Sequence, residues 1–163
     1  MLKSFQARPR PKASGAFAIV ASQYNARYVD AMLNAAKAEL NRAGQTRVRV
    51  IRVPGAFEIP VVASRLAASA HASPAAHQRP LSAIICLGVI FQGETSHAQH
   101  IGWGVTHALA QIQTQHQVPV IHAVFVFEKE EHARARCLGK KHNRGTEAAR
   151  TALVMAGVMA KME

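Results

Sequence analysis

Eleven residues, Leu81–Phe91, with the sequence LSAIICLGVIF, constrain this chain more than any other stretch. Apart from Ser82 and Gly88 every residue in the run is apolar, so it reads as a strand buried on both faces. Such a strand needs a covering layer on each side. The flanking segments supply the material for those layers.

Residues 17–22, FAIVAS, form a short β-prone run, and Asn25 is placed to cap the helix that follows. In that helix Val29, Met32, Leu33, Ala36 and Leu40 recur at helical spacing until Gly44. Residues 47–53, RVRVIRV, alternate as a strand and run into PGAFEIP (54–60) and a second helix through Val62, Leu66 and Ala67. AHASPAAHQRP (70–80) reads as an exposed loop. After the apolar run, a helical pattern over 96–116 passes through Ile101, Val105, Ala108, Leu109 and Ile112. VPVIHAVFVF (118–127) is a fourth strand. A closing helix over 146–162 carries Ala149, Leu153, Ala156 and Met159 on one stripe.

Strand and helix thus alternate four times, which predicts an α/β fold with a parallel sheet covered by helices on both faces. With 163 residues and no internal repeat, one domain over 15–163 is expected, preceded by a basic, flexible arm over 1–14.

Charge widens the possibilities. The formal net charge of +11 would attract any polyanion. Lys3, Arg8, Arg10 and Lys12 crowd the start, and Arg134, Arg136, Lys140, Lys141 and Arg144 form a second group. Against nucleic-acid binding, there is no recognised reader motif, and aromatic residues do not interleave with the basic clusters. Cys86 and Cys137 show neither disulfide-framework nor zinc spacing, so a reduced, cytoplasmic protein is expected. The first residues lack the apolar segment of a secretory signal. No run is long enough to span a bilayer, and no membrane partner is expected.

In doubly wound sheets ligands gather at the carboxyl ends of the strands. Tyr24 and Asn25, residues 55–58, residues 93–97, and Glu128 each follow one of the four strands. All the unusual turns therefore fall on one edge. Gly93 is expected to let the backbone turn tightly, with Glu94, Thr95 and Ser96 in the first turn of a helix. Free N–H groups there make a site for an anion such as phosphate, or else a simple capping turn. With nine histidines in the chain, it is position that singles out His97. An imidazole beside a bound phosphate can take up and return a proton. His122 reads as a satisfied core histidine, with a place in the pocket wall as the alternative. Tyr24 and Phe57 could stack on a flat heterocycle, with ordinary packing an equal alternative for Phe57, and Glu58 could accept hydrogen bonds from a polyol. Arg136 and Arg144 are good phosphate partners by type, or members of a solvated basic face. A helix after the fourth strand would carry Arg136 away from its own edge, leaving it within reach only of a neighbouring subunit.

Three segments then act together: VPGAFEIP (53–60), GETSH (93–97) and NRGTEAA (143–149). In order and spacing, from about residue 17 to 162, the chain resembles the 6,7-dimethyl-8-ribityllumazine synthases. The resemblance implies a three-layer, flavodoxin-like α/β sandwich around a four-stranded parallel sheet. It also implies the penultimate step of riboflavin biosynthesis, in which 5-amino-6-(D-ribitylamino)uracil condenses with 3,4-dihydroxy-2-butanone 4-phosphate and phosphate and water are released. Such chemistry needs no catalytic lysine, metal or cofactor.

By the same resemblance His97 is the proton-transfer residue and Tyr24 the aromatic that stacks on the pyrimidine. Ala56, Phe57, Glu58, Val89, Ile90 and Phe91 contact the ribityl chain and ring. Glu94 and Thr95 meet the phosphate through backbone N–H groups, and Arg136 is its arginine partner. Arg144 matches a basic position near the phosphate, and His122 replaces a pocket residue that is often aromatic. The resemblance further implies a homo-oligomer built on pentamers with shared active sites, and riboflavin synthase as a candidate partner. Departures from the pattern are Gln92, where a basic residue is usual, AQH after His97, Val126 with Phe127, and the bulky LGKKHNRG. A flavin- or lumazine-binding relative without catalysis is the alternative reading.

Overall fold

Apolar character on both sides of one strand is resolved by two separate helical layers. The structure, a computed structural model, describes residues 15–70, 81–139 and 142–162. The expected arm over 1–14, the loop expected over 70–80 except Ala70, and Lys140 and Lys141 lie outside the described residues. Strand β3 (Leu81–Phe91) is buried along its middle and sits at the centre of a four-stranded sheet. The other strands are β1 (Ala16–Ser22), β2 (Val48–Val53) and β4 (Val120–Phe127), in the order β2-β1-β3-β4 with every pair parallel. This is the winding of a flavodoxin-like sheet.

Helices α1 (Ala26–Arg42) and α5 (Arg144–Met159) cover one face, where Met32, Leu40, Ala149 and Leu153 meet Phe17, Ile19, Ile85 and Leu87. On the other face α2 (Ile59–Ser69) and α3 (His97–His116) bury Ile59, Ala63, Val105 and Leu109 against Ala18, Val20, Ile84 and Cys86. Odd and even residues of β1 and β3 thus feed different cores, as a strand's two-residue period requires. No helix of the described residues is long and apolar enough to cross a membrane.

Several boundaries differ from the sequence reading for local reasons. Helix α5 starts at Arg144 because the Asn143 side chain accepts a 2.8 Å bond from the Gly145 amide, capping the helix two residues early. Helix α3 starts at His97, so residues 94–96 precede the helix rather than form its first turn. Strand β4 is followed by one short turn of helix, α4 (Glu130–Ala133), which widens into a π-helical turn, Arg134–Leu138. Asn25 stands at the start of α1, but in a left-handed conformation (φ 57°) and without a side-chain cap. Its amide donates instead to the Val89 carbonyl at 2.8 Å, tying the start of α1 to the end of β3.

Candidate active site

The chain passes from β1 to β2 on one side of the sheet and then crosses to β3 on the other. Loops leaving β1 and β3 therefore diverge, and a crevice opens above the carboxyl ends of the strands, where such folds take ligands. A cavity of about 560 Å³ lies there, lined by residues after β1 (Tyr24, Asn25), after β2 (residues 55–58), at the end of β3 (Val89, Ile90, Phe91) and at the start of α3 (Thr95, His97, Ala98, Ile101).

The wall after β2 is shaped by a 3-10 turn, Ala56–Glu58, between β2 and α2. Glu58 folds back, and one carboxylate oxygen accepts the Gly55 amide at 2.9 Å. That bond satisfies a donor at the turn and fixes where the carboxylate stands. Phe57 and Tyr24 remain 61% and 72% exposed. Two large rings left uncovered at the mouth of one cavity are a surface ready to stack on a planar ligand. Tyr24 is held by its backbone, its amide donating to the Pro54 carbonyl at 3.1 Å.

The opposite wall is the loop after β3. Gln92 continues the sheet for one more bond, its amide donating to the Phe127 carbonyl at 2.9 Å. The Gln92 side-chain amide then donates to the carbonyls of Gly93 (3.0 Å) and Thr95 (2.6 Å). With those carbonyls occupied on one side, the amide N–H groups of residues 93–96 are left without an acceptor among the described residues. Four adjacent donors at the positive end of a helix favour an anion. His97 stands beside them, exposed at the cavity, its own amide 3.4 Å from Thr95 Oγ1. Gly93 is not in the left-handed region, and a Cβ there would meet nothing within 4 Å, so the turn itself does not need a glycine.

Of the residues singled out in the sequence, Tyr24, Ala56, Phe57, Glu58, Val89, Ile90, Phe91, Thr95 and His97 converge on this cavity. Others do not. Glu94 is exposed beside the free amides but is not part of the cavity lining. His122 pairs across β3 with Cys86, well before the strand ends, so it is neither a core residue nor a wall of its own chain's cavity. Its Nε2 lies 3.0 Å from Thr106 Oγ1 on α3. Partial desolvation against that helix lowers the imidazole pKa. Arg144 is engaged with Glu147 and lies over the Phe125 ring, 5.8 Å from its centroid. Arg136, on the π-helical turn, is exposed and has no partner among the described residues. Sequence reasoning missed Ala98 and Ile101; their three-residue spacing on α3, with Ile101 four residues after His97, was the available signal. It also missed the tie from Asn25, whose partner Val89 is 64 positions away.

Comparison with known proteins agrees with this arrangement. A family model described as 6,7-dimethyl-8-ribityllumazine synthase matches residues 14–160. A 6,7-dimethyl-8-ribityllumazine synthase of Stenotrophomonas maltophilia (strain R551-3) is 37% identical over 155 residues, 94% of each chain. Those of Xanthomonas oryzae pv. oryzae (strain PXO99A) and Xanthomonas campestris pv. campestris (strain B100) are 39% and 37% identical over 145 residues, 88% of each chain. A cavity at the switch point of the sheet, a match over nearly the whole chain and several relatives well above 30% identity lead to one assignment: the chain belongs to the 6,7-dimethyl-8-ribityllumazine synthase family.

Proposed function

We propose that the chain condenses 5-amino-6-(D-ribitylamino)uracil with 3,4-dihydroxy-2-butanone 4-phosphate to form 6,7-dimethyl-8-ribityllumazine. The observation that carries this reading is the set of amides over residues 93–96, which find no acceptor among the described residues, beside His97 and in one cavity with two exposed rings. One end suits a phosphate and the other a flat heterocycle. The amine of the pyrimidine attacks the ketone carbonyl, phosphate is eliminated, and the second nitrogen closes the ring. Holding both substrates in one cavity makes these steps effectively intramolecular. His97 takes a proton from the attacking amine and returns it as phosphate and water leave; such transfer contributes about 10²–10⁴ in rate.

In this reading Tyr24 and Phe57 flank the pyrimidine, and Glu58, aimed by Gly55, accepts from the ribityl hydroxyls. Glu94 and Thr95 present their amides to the phosphate. Arg136 reaches the phosphate of a neighbouring protomer, with Arg144 nearby and His122 entering the next cavity in the same way. The assembly is a pentamer or a multiple of one. Trp103, 68% exposed on α3, and the edge of β4 that pairs with no strand among the described residues, with the exposed Val126, provide apolar surface for it. Riboflavin synthase, which would consume the product, is the proposed partner. The buried, unbonded thiols of Cys86 and Cys137 suit a reducing cytoplasm.

The test is to mix the purified protein with both substrates and follow the lumazine chromophore. Product formation, a loss of about 10²-fold or more in kcat for His97→Ala, and an unchanged pyrimidine Kd are expected. Tight pyrimidine binding without product would instead establish a binding protein.

A further inference from the structure

Glu130 and Arg134 sit on the surface, their side chains 53% and 57% exposed, where an isolated ion pair adds little stability. They are nevertheless joined to a buried residue. One oxygen of Glu130 accepts from Arg134 Nη2 at 3.1 Å and Nε at 3.3 Å, and it also accepts the hydroxyl of Tyr28. Arg27 stands 4.0 Å from the same oxygen. The Tyr28 ring is buried at the start of α1, edge-on to Phe91 with centroids 5.5 Å apart, and Phe91 lines the cavity. Its hydroxyl reaches the half-exposed Glu130.

What this clamp holds is the beginning of the turn that carries Arg136. Over Arg134–Leu138 the helix is wound with π geometry, a form used in short pieces and often near functional positions. Its anchors are Ala133 just before it, the buried Cys137 and the partly buried Leu138 within it, and beyond it the Asn143 amide donating to the Cys137 carbonyl. Arg136 projects between the clamp and that second tie with no partner of its own among the described residues. Its direction is therefore set by the backbone on either side. The titration directions match a charged, oriented cluster: Tyr28 and Arg134 hold Glu130 below the usual carboxylate range, and Glu130 raises Tyr28.

We propose that Tyr28, Glu130 and Arg134 are positioning residues for Arg136, fixing the turn from which its guanidinium reaches a phosphorylated ketone bound by a neighbouring copy of the chain. This rests on the reading of Arg136 given above. The clamp touches no substrate. It orders the backbone in advance, so that the arginine does not lose that freedom on binding.

The experiment is a double-mutant cycle in steady-state kinetics with the full-length protein. Tyr28→Phe deletes the hydroxyl and keeps the buried ring. Glu130→Ala, at an exposed position, checks that the effect does not come from the core. Each is expected to raise KM for the phosphorylated ketone about fivefold, the size of one lost oriented hydrogen bond, with the pyrimidine Kd unchanged. In an Arg136→Ala background neither should change KM further. An unchanged KM in the single variants, equal loss of affinity for both substrates, or the same fold-change with and without Arg136 would each overturn the proposal. A wild-type protein that makes no lumazine would overturn the functional reading; an active wild type with a silent Tyr28→Phe overturns the clamp alone.

Discussion

Gly93 separates what the chain needs for itself from what a ligand would need. Its φ is one that any residue can adopt, and a methyl group there would meet no atom within 4 Å. Alanine should therefore leave thermal stability within about 0.5 kcal/mol of wild type. If a phosphate lies against the amides of residues 93–96, the same methyl intrudes on it. Gly93→Ala is thus expected to raise KM for the phosphorylated ketone several-fold while the melting temperature holds. A lowered melting temperature with unchanged KM would mean that the glycine serves the fold. Residues just past the strand ends are legible from position alone, as for Tyr24, residues 55–58, Thr95 and His97, whereas residues 89–91 are expected only through the family resemblance. Local sequence makes Asn25 an expected helix cap, because capping is a short-range rule. Its actual acceptor, the Val89 carbonyl, is close only once β1 and β3 pair.

At the scale of elements the periodicities held, because each helix buries one stripe and each inner strand two faces. The two-residue alternation of β1 and β3 shows which core each side chain joins. What periodicity could not show was the break after β4. Four residues of α4 and five of a π-helical turn are too short to carry a repeat, and the bond from Tyr28 that holds them spans 102 positions. Close packing of α5 on α1 was hidden for a similar reason. At Gly145 an added Cβ would lie 1.9 Å from the Met32 carbonyl oxygen, so the two helices touch through backbone. By helix propensity alone Gly145→Ala would be stabilising. Here it forces the helices apart and is expected to cost about 1–3 kcal/mol, with Tm falling by about 2–4 °C for each kcal/mol. Thermal unfolding followed by circular dichroism reads the sign, and an unchanged or higher Tm would show that the contact yields.

On the scale of the whole molecule, no arginine or lysine lines the cavity among the described residues. The free amides and His97 are present, yet Arg136 does not line that cavity and Arg144 is engaged with Glu147. The proposed assembly would join these facts, since in a cyclic oligomer every protomer both lends and receives the same surface. Co-expression of Arg136→Ala and His97→Ala subunits puts this to a quantitative test. Each variant alone should be nearly inactive. In randomly mixed rings a cavity is intact when its His97 comes from one variant and its arginine from the other, which happens at roughly a quarter of the interfaces. Specific activity should therefore recover to about that fraction of wild type. It should stay at the sum of the parents when the two proteins are kept as separate oligomers. If each cavity instead drew both residues from its own chain, mixing would restore nothing, because no chain in the mixture carries both.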